Sequence, residues 1–132
     1  MAYSNLNWYA IVVSALAGFP LGFLWYGALF GKPWMALTGV THEQGKAANP
    51  LKLYGTVLLL NLVIAFALSF LIGDSDWHDG VHHGLFSALA FFATGLGINY
   101  LFEFRRLKLW LINTGYMVLL MAIMGAILGA WH

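Results

Sequence analysis

Four stretches of the chain, residues 6–30, 53–72, 84–102 and 109–131, contain no Asp, Glu, Lys or Arg. Each meets the roughly 20 apolar residues, at about 1.5 Å per residue, that a helix needs to cross about 30 Å of hydrocarbon. All six bases and all five acids lie between or beside these stretches. Of the 132 residues 61% are hydrophobic and 8% charged, against about 25% charged in an ordinary soluble domain. The shortfall is therefore a segregation of charge. A soluble globular protein is excluded for want of surface charge, and a disordered chain for excess hydrophobicity. A net charge of +1 offers no dense basic face, so nucleic acid is not an expected partner. The absence of cysteine removes disulfides, thiol catalysis and cysteine-held metals. The expected fold is all-α: one transmembrane domain built as an integral membrane four-helix up-down bundle, because short connections force neighbouring helices antiparallel.

The basic residues orient it. Lys32, Lys46 and Lys52 lie in or beside the first connection, Arg105, Arg106 and Lys108 in the third, and none in the second connection or at the termini. By the positive-inside rule both termini face out, and loops 31–52 and 103–108 are cytoplasmic. A multi-pass protein of the bacterial inner (plasma) membrane is the expectation, with membrane lipids as its surroundings. Residues 1–7 carry no Lys or Arg, and the apolar stretch behind them exceeds the 7–15 residues of a signal core, so the first span reads as a retained helix. Trp8, Trp77 and Trp131 fall at the outer interface, and Trp25, Trp34 and Trp110 near the inner one.

In the first loop, Gly31-Lys32-Pro33-Trp34 reads as a turn ending helix one. Thr41 and Gln44 have capping-box spacing and predict a short interfacial helix over about 41–48. Pro50 suits the first turn of the second span. Pro20 predicts a bend in helix one. Ser14-Ala15-Leu16-Ala17 recurs as Ser87-Ala88-Leu89-Ala90, a faint sign of duplication about an axis along the membrane normal. Gly18 and Gly22 form one GxxxG pair, Gly125 and Gly129 another. Small residues mark close helix contacts in lipid. The contacts belong either within one chain or between subunits of a homo-oligomer, which the limited area of four helices favours.

Several motifs together resemble a known family. Gly22-x-x-Trp25-Tyr26, then Phe30-Gly31-Lys32-x-Trp34, open the resemblance. Asn99-x-x-Phe102-Glu103, Asn113-x-Gly115-Tyr116 and the run from Gly125 to Trp131 close it. The chain resembles the small bacterial membrane proteins grouped as domain of unknown function seventeen sixty-one, over nearly its whole length apart from the second loop. The resemblance implies a four-helix membrane protein and brings no activity with it. The family commonly has a glycine and then a basic residue after the glutamate, where this chain has Phe104-Arg105-Arg106.

Two polar constellations are candidate sites. The inner one is Trp25, Tyr26, Asn99, Glu103, Arg105, Arg106 and Asn113. Asn99 and Glu103 are four apart and share a helical face, and amides in lipid need partners. The group reads either as a polar cavity for a small polar ligand, lipid headgroup or ion, or as a structural cluster in which Glu103 pairs with Arg106 or Lys108. Asn61 is the one deep polar group, as interhelical glue or as lining of a path. The outer constellation is Asp74, Asp76, His78, Asp79, His82 and His83, with His132 on the same side. His78 and His82 would share a face if helix three began early, which suits a divalent metal; the plainer reading is a solvated turn whose aspartates cap helix three. No other cofactor is expected. No ionisable residue lies at mid-depth, which speaks against proton relays and coupled pumps, and no nucleophile has a base nearby. The expectation is thus a non-enzymatic homo-oligomeric bundle that binds or passes a small polar solute. The alternatives are an outer-face metal-binding or sensory module and an accessory subunit of a larger membrane complex.

Overall fold

The computed structural model describes residues 6–131, which contain helices and no strand. Four helices are long and apolar enough to cross a membrane: α1 (Trp8–Leu29), α4 (Pro50–Ile72), α5 (Trp77–Phe102) and α6 (Leu107–Ala130). Two short helices, α2 (Gly31–Thr38) and α3 (His42–Ala47), fill the connection between α1 and α4.

Local chemistry sets the helix ends. The first orphan N–H groups of a helix need acceptors. Asn7 accepts from the Ala10 N–H, Asn49 from those of Leu51 and Lys52, and Asp76 from that of Asp79. Pro50 occupies the first turn of α4, where its missing proton is no loss. Thr41 and Gln44 form the expected capping box, with the helix running from His42 to Ala47. The expected turn at Gly31-Lys32-Pro33-Trp34 is instead the first turn of α2. A proline there blocks no helical hydrogen bond, and the helix closes only at Gly39, whose φ is +78°.

The largest departure from the sequence reading is the third span. It begins at Trp77 and not at residue 84, because Asp76 caps it and Gly80 is no obstacle there. Gly80 packs against the Gly125 carbonyl, Gly84 against that of Met121, and Gly129 against that of Asp76, each closer than a Cβ would allow. Glycine gives up about 1 kcal/mol of helix propensity, but here it lets two backbones touch. The pairings 80 with 125 and 84 with 121 run in opposite directions, so α5 and α6 form an antiparallel hairpin. Asn7 meeting Trp131, and Trp25 meeting Ile112, make α1 antiparallel to α6 as well. Trp8 stacks on Phe66 while Phe19 meets Tyr54, which sets α4 antiparallel to α1. The bundle is up-down, with α6 in the middle. The expected bases gather at one end, and residues 6 and 131 lie toward the other.

Ala10, Ile11, Ala65, Leu68, Leu120 and Met124 are the core of the contact between α1, α4 and α6. Phe23, Leu59, Leu60, Val63, Phe86 and Phe91 point outward and are exposed, a face suited to acyl chains and not to water. Both sequence GxxxG pairs are occupied inside the chain. Gly18 lies against Asn61 and Tyr116, Gly22 against Tyr116, and Gly125 and Gly129 against α5. These small-residue faces therefore meet neighbouring helices of the same chain.

Two departures from the α-helical ladder matter for the site. In α1 the ladder is interrupted at Ala17, three residues before Pro20, whose ring nitrogen has no proton for the Leu16 carbonyl. Wide π-type turns then occur at Leu24–Leu29 in α1 and Ala88–Ala93 in α5. The recurring Ser-Ala-Leu-Ala string runs into the wide turn in α5, with Ala88, Leu89 and Ala90 inside it, but lies well before the wide turn in α1, so the echo does not extend to the backbone.

Candidate functional site

The polar side chains of the basic end are arranged as a ladder that climbs from mid-bundle to the surface. At its foot, the Asn61 amide, only 6% exposed, donates to the Ala15 carbonyl at 3.2 Å. Beside it the Tyr116 hydroxyl donates to the Gly18 carbonyl at 2.8 Å. Gly18 leaves room for this amide, since a Cβ there would lie 2.6 Å from Asn61 Nδ2 and push it aside. Asn61 is thus engaged as a tie between α1 and α4.

One turn higher, the Tyr26 ring packs on that of Tyr116, with centroids 5.2 Å apart. Its hydroxyl donates to Asn113 Oδ1 at 2.8 Å, and Asn113 Nδ2 donates to the Tyr100 hydroxyl at 2.6 Å. One amide therefore joins α1, α5 and α6. Trp25 Nε1 donates to the Ile112 carbonyl at 2.9 Å. Adjacent residues on a regular helix diverge by about 100°, yet Trp25 and Tyr26 both reach α6. They lie in the wide turn, which alters the angular spacing of its side chains. Gly115 makes room for the Trp25 indole, since a Cβ there would sit 2.8 Å from the ring. Trp34 of α2 meets the Tyr26 ring edge-on at 5.4 Å. Trp110 Nε1 donates to the Ala93 carbonyl at the end of the second wide turn. The indoles of Trp25 and Trp110 thus have their N–H groups satisfied by neighbouring helices.

At the top, the turn between α5 and α6 completes the site. Arg105 N–H donates to the Tyr100 carbonyl and Phe104 N–H to that of Leu101, the paired bonds of a Schellman cap. Phe104 holds the left-handed position of that cap, with φ +56°. This is the position at which the resemblance leads one to expect glycine. Arg105 lies over the Tyr100 ring at 5.3 Å and pairs with Glu103 at 2.7 Å. The turn and α2 enclose a cleft of about 580 Å³, lined by Ala36, Leu37, Thr38, Glu103, Phe104, Arg105 and Arg106.

Of the inner residues singled out from the sequence, Trp25, Tyr26 and Asn113 are brought together, and Glu103 and Arg106 line the adjoining cleft. Asn99 is not part of the group. It is exposed, and among the described residues its side chain makes no hydrogen bond, whereas its neighbour Tyr100 meets Asn113 of α6. Glu103 pairs with Arg105 and not with Arg106 or Lys108, since the turn folds Arg105 back over α5. Tyr100, Tyr116, Trp34 and Trp110 were not foreseen as members. The spacing Asn113-x-x-Tyr116 puts Tyr116 on the same helical face as Asn113 and could have pointed to it.

At the opposite end, Asp76 caps α5 and a His83 ring nitrogen lies 2.7 Å from the Asp79 carbonyl. His78 and His82 share a face of α5, with ring centroids 5.9 Å apart. Asp74 is exposed on the turn before α5. Among the described residues no group of three or more His, Asp or Glu side chains is placed to hold a metal ion. His132 lies outside the described residues.

No curated protein and no solved structure matches the chain. A family model described as "Protein of unknown function (DUF1761)" matches residues 9–129. The matched span takes in the second connection, which the motif resemblance leaves aside. With that span covering nearly the whole chain, and the Trp25-Tyr26 and Asn113-x-Gly115-Tyr116 motifs meeting in one network, the chain belongs to the DUF1761 family.

Proposed function

We propose that this protein is a non-enzymatic, multi-pass protein of the bacterial inner membrane that binds a small, negatively charged polar group at its cytoplasmic mouth. All six bases gather at the end of the bundle that holds the cleft, which the positive-inside rule assigns to the cytoplasm. The observation that carries the binding is the cleft itself. Its wall has two guanidinium groups against one carboxylate, and that carboxylate already faces Arg105. Arg106 is exposed and makes no ion pair among the described residues, which leaves it open to an anion. The Thr38 hydroxyl in the cleft wall donates to the Trp34 carbonyl and Glu103 pairs with Arg105, so neither is set up as a nucleophile and base, and binding is the activity in view. Passage of a solute has less support, because Asn61 is engaged with Ala15 and packed against Gly18.

The cysteine-free chain makes a direct test available. Ala36→Cys places one thiol in the cleft wall. In purified protein, glycerol 3-phosphate should slow its reaction with a maleimide, while the same solute should leave an Asp74→Cys thiol at the other end unaffected. Equal rates at Ala36→Cys with and without the solute would contradict the binding.

A further inference from the structure

Arg105 and Arg106 form a wall shared by two cavities of opposite character. On one side lies the polar cleft against α2. On the other lies a groove of about 270 Å³ between α5 and α6, lined by Gly97, Tyr100, Leu101 and Leu107 and by Trp110 at its end. The groove offers little hydrogen bonding. The Trp110 N–H is engaged by the Ala93 carbonyl, and the Tyr100 hydroxyl already accepts from Asn113. A ligand lying across the arginines would therefore meet positive charge at one end and an apolar channel at the other.

The start of α6 adds to the positive end. Arg106 stands at the N-cap position with no side-chain cap, unlike the asparagines and aspartate that cap α1, α4 and α5. The partial positive charge of a helix N-terminus favours an anion, and the Arg106 guanidinium sits at that terminus. Basic pockets between transmembrane helices on the cytoplasmic side suit anionic headgroups.

We propose that this composite site holds an anionic phospholipid of the surrounding membrane. Its phosphate lies at Arg106 and the start of α6, and one acyl chain lies along Gly97, Leu101 and Leu107. This rests on the reading of the same end as an anion-binding mouth and names the anion. A lipid is favoured over a soluble phosphate because the groove continues from the arginines into apolar surface of α5 and α6, where Leu101 and Leu107 are 76% and 69% exposed.

Native mass spectrometry of the full chain, released from detergent after incubation with phosphatidylglycerol, phosphatidylcholine or glycerol 3-phosphate, separates the cases. The expected result is that phosphatidylglycerol is retained at lower concentration than either of the others. Arg106→Gln should weaken its retention about fivefold, the effect of about 1 kcal/mol per basic residue at a membrane surface. Arg106→Lys should keep most of it, and Lys46→Gln, on α3 away from the groove, should change nothing. Arg106 is exposed, and the unfolding temperature of each variant in detergent identifies any loss of fold. Equal retention of phosphatidylcholine would overturn the proposal by removing its charge dependence. Glycerol 3-phosphate binding as tightly as phosphatidylglycerol would overturn it while leaving the anion-binding mouth intact. Failure of both to bind would overturn both.

Discussion

Phe104 is a bulky side chain in a backbone conformation that suits glycine, and it is 93% exposed. An L-residue in the left-handed region carries about 1–2 kcal/mol of strain, and the turn keeps it there through two backbone hydrogen bonds and the Arg105–Tyr100 contact. Phe104→Gly relieves the strain but adds freedom to the unfolded chain. The net expectation is a gain of about 0.5–1 kcal/mol, read as a higher unfolding temperature in detergent; an unchanged or lower value would mean that the phenyl ring contributes contacts that offset its strain. At this scale the sequence was partly legible. The family pattern already singled out the position after Glu103 as unusual, and Trp25, Tyr26 and Asn113 were all recognised. Tyr100 was hidden by its neighbour. A helical face drawn through Asn99 and Glu103 leaves out Tyr100, which is about 100° round the helix from Asn99, and it is Tyr100 that faces α6.

The elements follow the charge pattern more closely than the individual contacts do. Segregated charge marks four spans because apolar length is a strong and local signal, and each span is a helix within a few residues of its expected limits except the third. That exception has a specific cause: the run from Asp76 to His83 is polar enough to read as a loop, while Gly80 and Gly84 continue the small-residue spacing through it. In such a hairpin the polar side chains face outward and the glycines face the partner helix. The close approach predicts a severe response to bulk. Gly125→Leu would drive its side chain into the Gly80 carbonyl, with an expected cost above about 3 kcal/mol. A chain that unfolds, as monitored by far-UV circular dichroism in detergent, is the expected outcome. A folded variant that loses only self-association would instead place Gly125 at a subunit interface. The wide turns were not legible, because no residue type marks a π turn; Leu24–Leu29 and Ala88–Ala93 are seen only once the neighbouring helices are in place.

At the scale of the molecule, the up-down topology was legible because short connections leave little choice, and the sorting of bases to one end was visible in the sequence itself. The joining of Tyr26, Asn113 and Tyr100 into one network was not, since it needs three helices in register. The cleft was not either, since one wall is α2, which the sequence disguised as a turn. The whole assembly places its polar ladder, its cleft and its uncompensated arginine at one end, and the binding proposed here requires that end to face the cytoplasm. Single thiols in the cysteine-free chain test this most directly. A membrane-impermeant maleimide should label Ala36→Cys in inverted vesicles and not in spheroplasts, and Asp74→Cys in spheroplasts and not in inverted vesicles. The reverse pattern, or labelling of both from one side, would contradict the orientation and with it the cytoplasmic mouth.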